Sequence, residues 1–351
     1  MSSAKLIDGP YILGNTVRYL TEDGNVHDIP LDKHEPMTVY VPNPDRDQFE
    51  LSLKSGIEAA DTIFSMPDSL LAIADIEGNF DGLASFLMNN GVIDEFFNWT
   101  YGTGHFLING DLVDRGAYPM AILWLMYKLE EQAKAAGGRV HINLGNHDIM
   151  NIQGWCDYAH PDYQQTVRAV TERFEPDQAF RLLHSRTTEI GKWLRSKNTV
   201  IKIGALLFVH GGLSHLLLPY KLSLPEINQI VRQNLDGDFY YRASEDNVVS
   251  QVMGRNGPIW YRTLAREENG RSMDSQEQLE SVLNQYQVRK MIIGHTVVPD
   301  ICTDYEQKLI KIDILHGKEK NTGKTKGILV QDGIVYKIDD LSNQTFLTSI
   351  I

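Results

Sequence analysis

Cysteine is scarce in this chain. Cys156 and Cys302 are the only two in 351 residues, too few for a disulfide framework to organise the fold, and both are read as reduced thiols. Long hydrophobic runs are missing as well: no stretch approaches the roughly 20 apolar residues that span a bilayer. The opening MSSAKLIDGPYILGN lacks the basic start and apolar core of a signal peptide. A cytoplasmic protein with no membrane partner is the resulting expectation. Positive charge is in deficit, with 33 Lys and Arg against 46 Asp and Glu for a net charge of -13. That balance argues against nucleic acid as a partner, since such binding relies on counterion release by clustered cations. There is no internal repeat and no low-complexity tract. A 42% hydrophobic fraction is enough for one large α/β domain with an appendage.

Residues 1–60 read as an N-terminal β-hairpin appendage and connector. VRYLTEDGNVHDIP carries two alternating runs around an Asp-Gly turn, and the Pro- and Asp-rich VPNPDRDQFELSL reads as connector. From there to about residue 345 strands and helices alternate. Helical periodicity covers Asp81 to Asn90 and Tyr118 to Ala136, and Gly137-Gly138 stops the second helix. Helical insertions are expected at about 157–198 and 214–285, the first long and largely helical from Tyr163 to Lys197. TVIKIGALLFVH is a hairpin turning at Gly204, LIKIDIL is a strand, and GILVQDGIVYKI is a hairpin turning at Asp332-Gly333.

Five short segments stand out: ADIEGN (Ala74 to Asn79), GDLVDRG (Gly110 to Gly116), GNHD (Gly145 to Asp148), HGG (His210 to Gly212) and GHT (Gly294 to Thr296). Each follows an apolar run that reads as a buried strand. Loops beyond the carboxyl ends of such strands gather on one edge, so the five polar clusters converge. Phosphoester hydrolysis of the dinuclear kind needs two cations roughly 3.5–4 Å apart, and holding them that close needs a bridging anion. Asp111 is the natural bridge. Asp75 suits one metal, and Asn146, His210 and His295 suit the other. His147, next to Asn146, points elsewhere and suits a general acid, with Asp114 placed to orient it. Arg115 and Arg262 suit bidentate phosphate contact, and the Asn146 amide nitrogen is a further candidate donor. Taken singly, each has a plain alternative: Asp75 or Asp148 as a helix N-cap, the histidines as hydrogen-bonded structural residues, Arg115 as a surface ion pair, the glycines as turn residues. Asp148 keeps the capping role. The remaining histidines lack this setting and are read as structural or exposed. Trp260 and Tyr261 adjoin Arg262, and Trp260 is read as packing.

The ordered set from Asp75 to His295 resembles the calcineurin-like metallophosphoesterases, and within them the phosphoprotein phosphatase family. EIGKWLRSKNTVIKI (Glu189 to Ile203) and NGPIWYR (Asn256 to Arg262) resemble its Shewanella-like bacterial branch. The resemblance spans roughly Leu70 to Tyr336. It implies a four-layer α/β/β/α fold, with two mixed β-sheets flanked by helices and the β-rich appendage outside. It also implies two divalent metals and hydrolysis of a phosphomonoester, and the expected course is direct attack of a metal-bridging hydroxide; manganese is the first expectation, with iron, magnesium or zinc as alternatives. A phosphorylated protein or peptide, carrying phosphotyrosine or phosphoserine/threonine, is the expected substrate. A nucleotide, dinucleoside polyphosphate or other small phosphoester is the alternative, and a non-catalytic phospho-ligand-binding protein is a third reading. In two places the pattern departs. Val297 follows Thr296, so the second His of a GHxH motif is missing, as in the phosphoprotein phosphatases. Glu77 stands where the family has the His of D-x-H-G. Read as a ligand, Glu77 joins Asp75 and Asp111 in an oxygen-rich first site that favours hard cations; read otherwise, the first site is weak or empty.

Overall fold

A computed structural model describes residues 5–237 and 247–350; part of the second polar insertion, residues 238–246, lies outside them. Two six-stranded mixed sheets form the centre. One runs in the order Gln344–Ser349, Ile334–Asp339, Lys326–Gln331, Ser69–Ile73, His105–Asn109, Arg139–Asn143. The other runs Cys302–Asp304, Leu309–Lys311, Lys290–Ile293, Leu206–Val209, Val200–Ile203, Ile63–Phe64.

The strands are apolar on both faces because both are covered. Leu70, Ala72, Leu107, Leu206, Phe208 and Ile292 enter the seam between the sheets. Their neighbours Leu71, Ile73, Phe106, Ile108, Leu207 and Val209 face outward into the larger core, where helices such as Phe80–Asn89 and Pro119–Ala135 pack. This period-two division is the four-layer arrangement. Removing a large side chain such as Phe208 from the seam is worth about 3–5 kcal/mol.

The N-terminal segment departs from the expectation of one hairpin and a connector. It forms a five-stranded antiparallel sheet, Val26–Pro30, Thr16–Thr21, Leu6–Leu13, Met37–Tyr40, Gln48–Leu51. The stretch read as connector supplies the last strand, where Phe49 and Leu51 are buried and Gln48 and Glu50 exposed. This sheet is tied to the rest: the Trp124 indole donates to the Pro10 carbonyl at 2.7 Å, and Arg18 donates to the Val170 carbonyl at 2.5 Å. The first insertion is three helices, Pro161–Thr171, Pro176–Leu183 and Glu189–Leu194. A left-handed Glu172 ends the first of them and a proline opens the second. The hairpin turns at Gly204 and at Asp332-Gly333 have the expected positive φ.

His105 and His141 lie on neighbouring parallel strands, Nδ1 to Nε2 3.0 Å, under the Phe64 ring. Burial lowers His141 to about 3 and His105 to about 4. An unfolded histidine takes up its proton near 6.5, well above these values. The stability the pair contributes is therefore complete above pH 6.5 and is lost as pH falls toward 4. Chemical denaturation of the protein and a His141→Phe variant is expected to show the wild type losing ground to the variant over that window. A difference that stays flat with pH would refute the assignment.

Candidate active site

Three of the five motif loops leave one central sheet and two leave the other. Parallel pairing brings each set to the same edge: Ile73 is level with Ile108, Asn109 with Asn143, and Val209 with Ile293. Asn109 then joins the sheets. Its Nδ2 donates to the Val209 and Ile292 carbonyls at 3.0 and 3.2 Å, and its own backbone carbonyl lies 3.0 Å from His210 Nδ1. That carbonyl can only accept, so His210 carries its proton at Nδ1 and presents the lone pair of Nε2 to the site.

Around Nε2 the expected ligands of one cation come together. Asn146 Oδ1 is 3.0 Å away, His295 Nδ1 3.1 Å and Asp111 Oδ2 3.3 Å. The Asn146 amide nitrogen faces Met150 Sδ at 3.7 Å, which turns its oxygen inward and removes it as a candidate phosphate donor. One amide oxygen, two imidazole nitrogens and a carboxylate oxygen make a donor set that fits a divalent cation. Glu77, Asp111 and His147 form a second group with ligand atoms within 4.8 Å of one another, so Asp111 belongs to both. Asp75 lies beside them and accepts from the His295 backbone N–H at 3.0 Å.

The carboxylates compete. Burial pushes Asp111 up, but the His210 and His147 imidazoles outweigh it and hold it below the usual carboxylate range. Burial, with Asp313 and Asp111 alongside, pushes Asp75 well above that range. Asp313 itself is raised to about 7 by burial and by Asp111. A cavity of about 250 Å³ is lined by Asp75, Glu77, Asp111 and Asp313 together with Arg115, Arg262 and Arg266.

His147 sits at the edge of this cluster. Its Nδ1 is 2.6 Å from Asp114 Oδ2, and Asp114 Oδ1 accepts from Asn151 Nδ2 at 2.8 Å. Burial lowers the His147 pKa, but Asp111 and the hydrogen-bonded Asp114 outweigh it, and the net direction is upward. Nε2 is left facing the cleft, 3.4 Å from Arg115 Nη2. Arg115 also contacts the Glu77 carboxylate. Arg262 is anchored by donation to the His295 carbonyl at 2.7 Å and by Glu268 at 3.4 Å. A second cavity of about 300 Å³ adjoins, lined by Arg115, His147, Trp155, Tyr158, Arg255, Trp260 and Arg262. Trp260 meets the His295 ring edge-on at 6.0 Å, whereas Tyr261 is 2% exposed and donates to Asp274 at 2.6 Å. Trp260 packs against the core, as expected, and also lines this cavity; Tyr261 is buried behind it.

Two motif glycines do more than turn. A Cβ on Gly145 would lie 2.0 Å from Asp111 Oδ1, and one on Gly294 would lie 2.2 Å from Asp75 Oδ2. Neither has positive φ; they are glycines because a carboxylate occupies the space of a side chain. Asp148 is not the N-cap residue, which is Gly145, but the third helical residue. Its carboxylate accepts from Gly145, Asp111 and Leu112 N–H groups at 2.8, 3.0 and 2.9 Å, clamping two motif loops together. Asp313, Arg266 and Tyr158 line these cavities from outside the five motifs. For Asp313 a signal existed: a lone acidic residue closing the apolar LIKI run.

Against known proteins, the family model described as calcineurin-like phosphoesterase matches residues 69–299. Shewanella-like protein phosphatase 2 of Arabidopsis thaliana is 29% identical over 298 residues, covering 73% of each chain. Shewanella-like protein phosphatase 1 of Plasmodium berghei is 27% identical over 233 residues, covering 66% of this chain, which spans 61% of that relative's length. The solved cold-active protein-tyrosine phosphatase of a psychrophilic Shewanella species superposes with a TM-score of 0.82 at 27% identity, covering 97% of this chain and 99% of that one. The matched region holds all five motif loops and both central sheets' site-bearing strands: the chain belongs to the calcineurin-like phosphoesterase family.

Proposed function

We propose that this chain is a dinuclear metal-dependent phosphatase acting on phosphomonoesters of proteins, phosphotyrosine ahead of phosphoserine and phosphothreonine. The observation that carries it is the meeting of Asn146 Oδ1, His295 Nδ1 and Asp111 Oδ2 within 3.3 Å of His210 Nε2, beside a buried His-Asp pair. In this reading Asp111 is shared by two cations, Asp75 and Glu77 complete the first, and Asn146, His210 and His295 the second. Such cations, manganese first, supply a nucleophile from water and neutralise phosphate charge.

The remaining chemistry belongs to side chains. Arg115 and Arg262 flank the place where phosphate oxygens sit and hold them by charge-assisted bonds. His147 keeps a proton on Nε2 and delivers it to the departing oxygen, while Asp114 fixes the ring through Nδ1. Support for an aromatic leaving group comes from the adjoining cleft, whose Trp155, Tyr158 and Trp260 line one cavity with Arg115 and His147. The solved Shewanella relative is itself named a protein-tyrosine phosphatase.

Turnover of a phosphotyrosine peptide by manganese-loaded protein is expected to exceed that of phosphoserine peptides and nucleotides, and His147→Ala is expected to lower it about 10²- to 10⁴-fold. A preference for nucleotides would replace the protein substrate with a small one. The acid must be protonated to act, so rate falls as pH rises through the raised pKa of His147. Asp114→Asn removes one of the charges that raise it, and the alkaline limb of kcat is expected to move to lower pH; a profile that merely scales down would assign Asp114 to folding alone. Metal analysis of Glu77→Ala should show one of two cations bound about tenfold more weakly or worse, and two cations retained at unchanged affinity would remove Glu77 from the ligand set.

A further inference from the structure

Asp313 has no part in the reading above, yet it is 4% exposed and lines the same cavity as Asp75, Glu77 and Asp111. The backbone explains how it gets there. Strands Lys290–Ile293 and Leu309–Lys311 pair in parallel with Met291 level with Leu309, Ile292 with Ile310 and Ile293 with Lys311. The Ile312 N–H continues the ladder to the Ile293 carbonyl at 2.9 Å. The ladder ends there, and Asp313 follows directly, at the carboxyl edge where the other ligands emerge. The Asp313 backbone carbonyl accepts from Val298 N–H at 2.9 Å, which holds the residue in place.

Its carboxylate is the exception among the buried acids of the site. Asp75 accepts from His295 N–H, Asp114 from Asn151 and His147, Asp148 from three backbone N–H groups. Among the described residues, no hydrogen bond and no ion pair reaches the Asp313 side chain. Arg115 and Arg262 act on it through space but neither is in contact with it, and a buried carboxylate with no donor or cation in contact is disfavoured; the first cation, whose usual imidazole this chain lacks, would supply that contact. Glu77, which stands at that position, is in contact with Arg115 and so has two claims on it.

We propose that Asp313 is a carboxylate ligand of the first cation, supplying together with Asp75, Glu77 and Asp111 an oxygen-only shell in place of the family's imidazole. The inference rests on the dinuclear reading above. Four carboxylates balance two dications without help from hydroxide, and an all-oxygen shell favours manganese, magnesium or iron over zinc.

The test reads metal binding rather than turnover, so it stands whether or not phosphopeptides are hydrolysed. Metal-free full-length protein is titrated with Mn²⁺ by calorimetry, and the loaded protein is examined by electron paramagnetic resonance. The wild type is expected to take up two ions per chain and to show a spin-coupled pair. Asp313→Asn, which keeps size and shape, is expected to bind one ion as before and the other at least tenfold more weakly, with the coupled spectrum giving way to that of an isolated ion. The retained ion at Asn146, His210 and His295 reports that the fold is intact. Two ions at unchanged affinity in Asp313→Asn overturn the proposal. So does simultaneous loss of both, which would make Asp313 a residue of the fold, and so does a single ion in the wild type, which would leave no first site to complete.

Discussion

Asn109 is fully buried where the two central sheets meet, and the geometry of the site follows from what its amide does. Its Nδ2 reaches carbonyls just ahead of the HGG and GHT loops, and its Oδ1 accepts from Asn143 just ahead of the GNHD loop at 2.8 Å. Asn143 in turn donates to Phe208 in the opposite sheet at 3.0 Å. Apolar packing in the seam would tolerate some slip between the sheets, because it is not directional. Hydrogen bonds in a low-dielectric interior do not tolerate it. The same residue's carbonyl selects the His210 tautomer, so sheet alignment and the availability of a ligand nitrogen rest on one side chain and its backbone.

The loops beyond this junction are held in an unfavourable conformation. Asp75, Glu77, Asp111, Asp114, Arg115 and His295 all have φ between 48° and 73°, the left-handed region that costs most residues of order 1 kcal/mol or more. Aspartate tolerates it better than most, through local hydrogen bonding; glutamate has no such advantage, which makes Glu77 a costly residue to keep there. The sharp turns swing side chains sideways off the strand ends toward a common point, which extended backbone would not do. Rigid sheets on both sides and the Asp148 clamp supply the constraint that makes such strain sustainable.

Much of this was legible in the sequence because strand-end motifs and the two tight turns are local signals. The strand that ends at Asn109 was visible from its apolar run, and the ten candidate residues did come together. Legibility failed where the determining contact is distant in sequence. Asp313 becomes a site residue only through pairing with a strand nearly twenty residues earlier, a register that short alternating segments do not reveal. Gln48–Leu51 was hidden by the prolines and aspartates before it, although its burial alternates as an edge strand should. The depth of Tyr261 relative to Trp260 was not readable, because adjacent residues in irregular backbone have no periodicity from which to read burial.

The chemistry of charge closes the argument. On the proposed assignment, every ligand but the shared Asp111 is neutral in the half built from Asn146, His210 and His295, whereas the other half is built from acids. Exchanging an imidazole for Glu77 adds a negative charge to the floor on which a phosphate dianion has to settle. Attraction for substrate then moves outward to the guanidinium groups, and these are not equivalent. The Arg115 side chain is 50% exposed and shared with Glu77, whereas that of Arg262 is 21% exposed and held by the His295 carbonyl and Glu268. Salt screens an exposed charge over a Debye length of about 8 Å at physiological ionic strength and a buried one far less. On the proposed function Arg262 is therefore the better-fixed anchor for phosphate. Arg115 touches both the Glu77 carboxylate and the His147 ring, so a cation that drew Glu77 away would free it, and on the proposed function it is the mobile partner of the two.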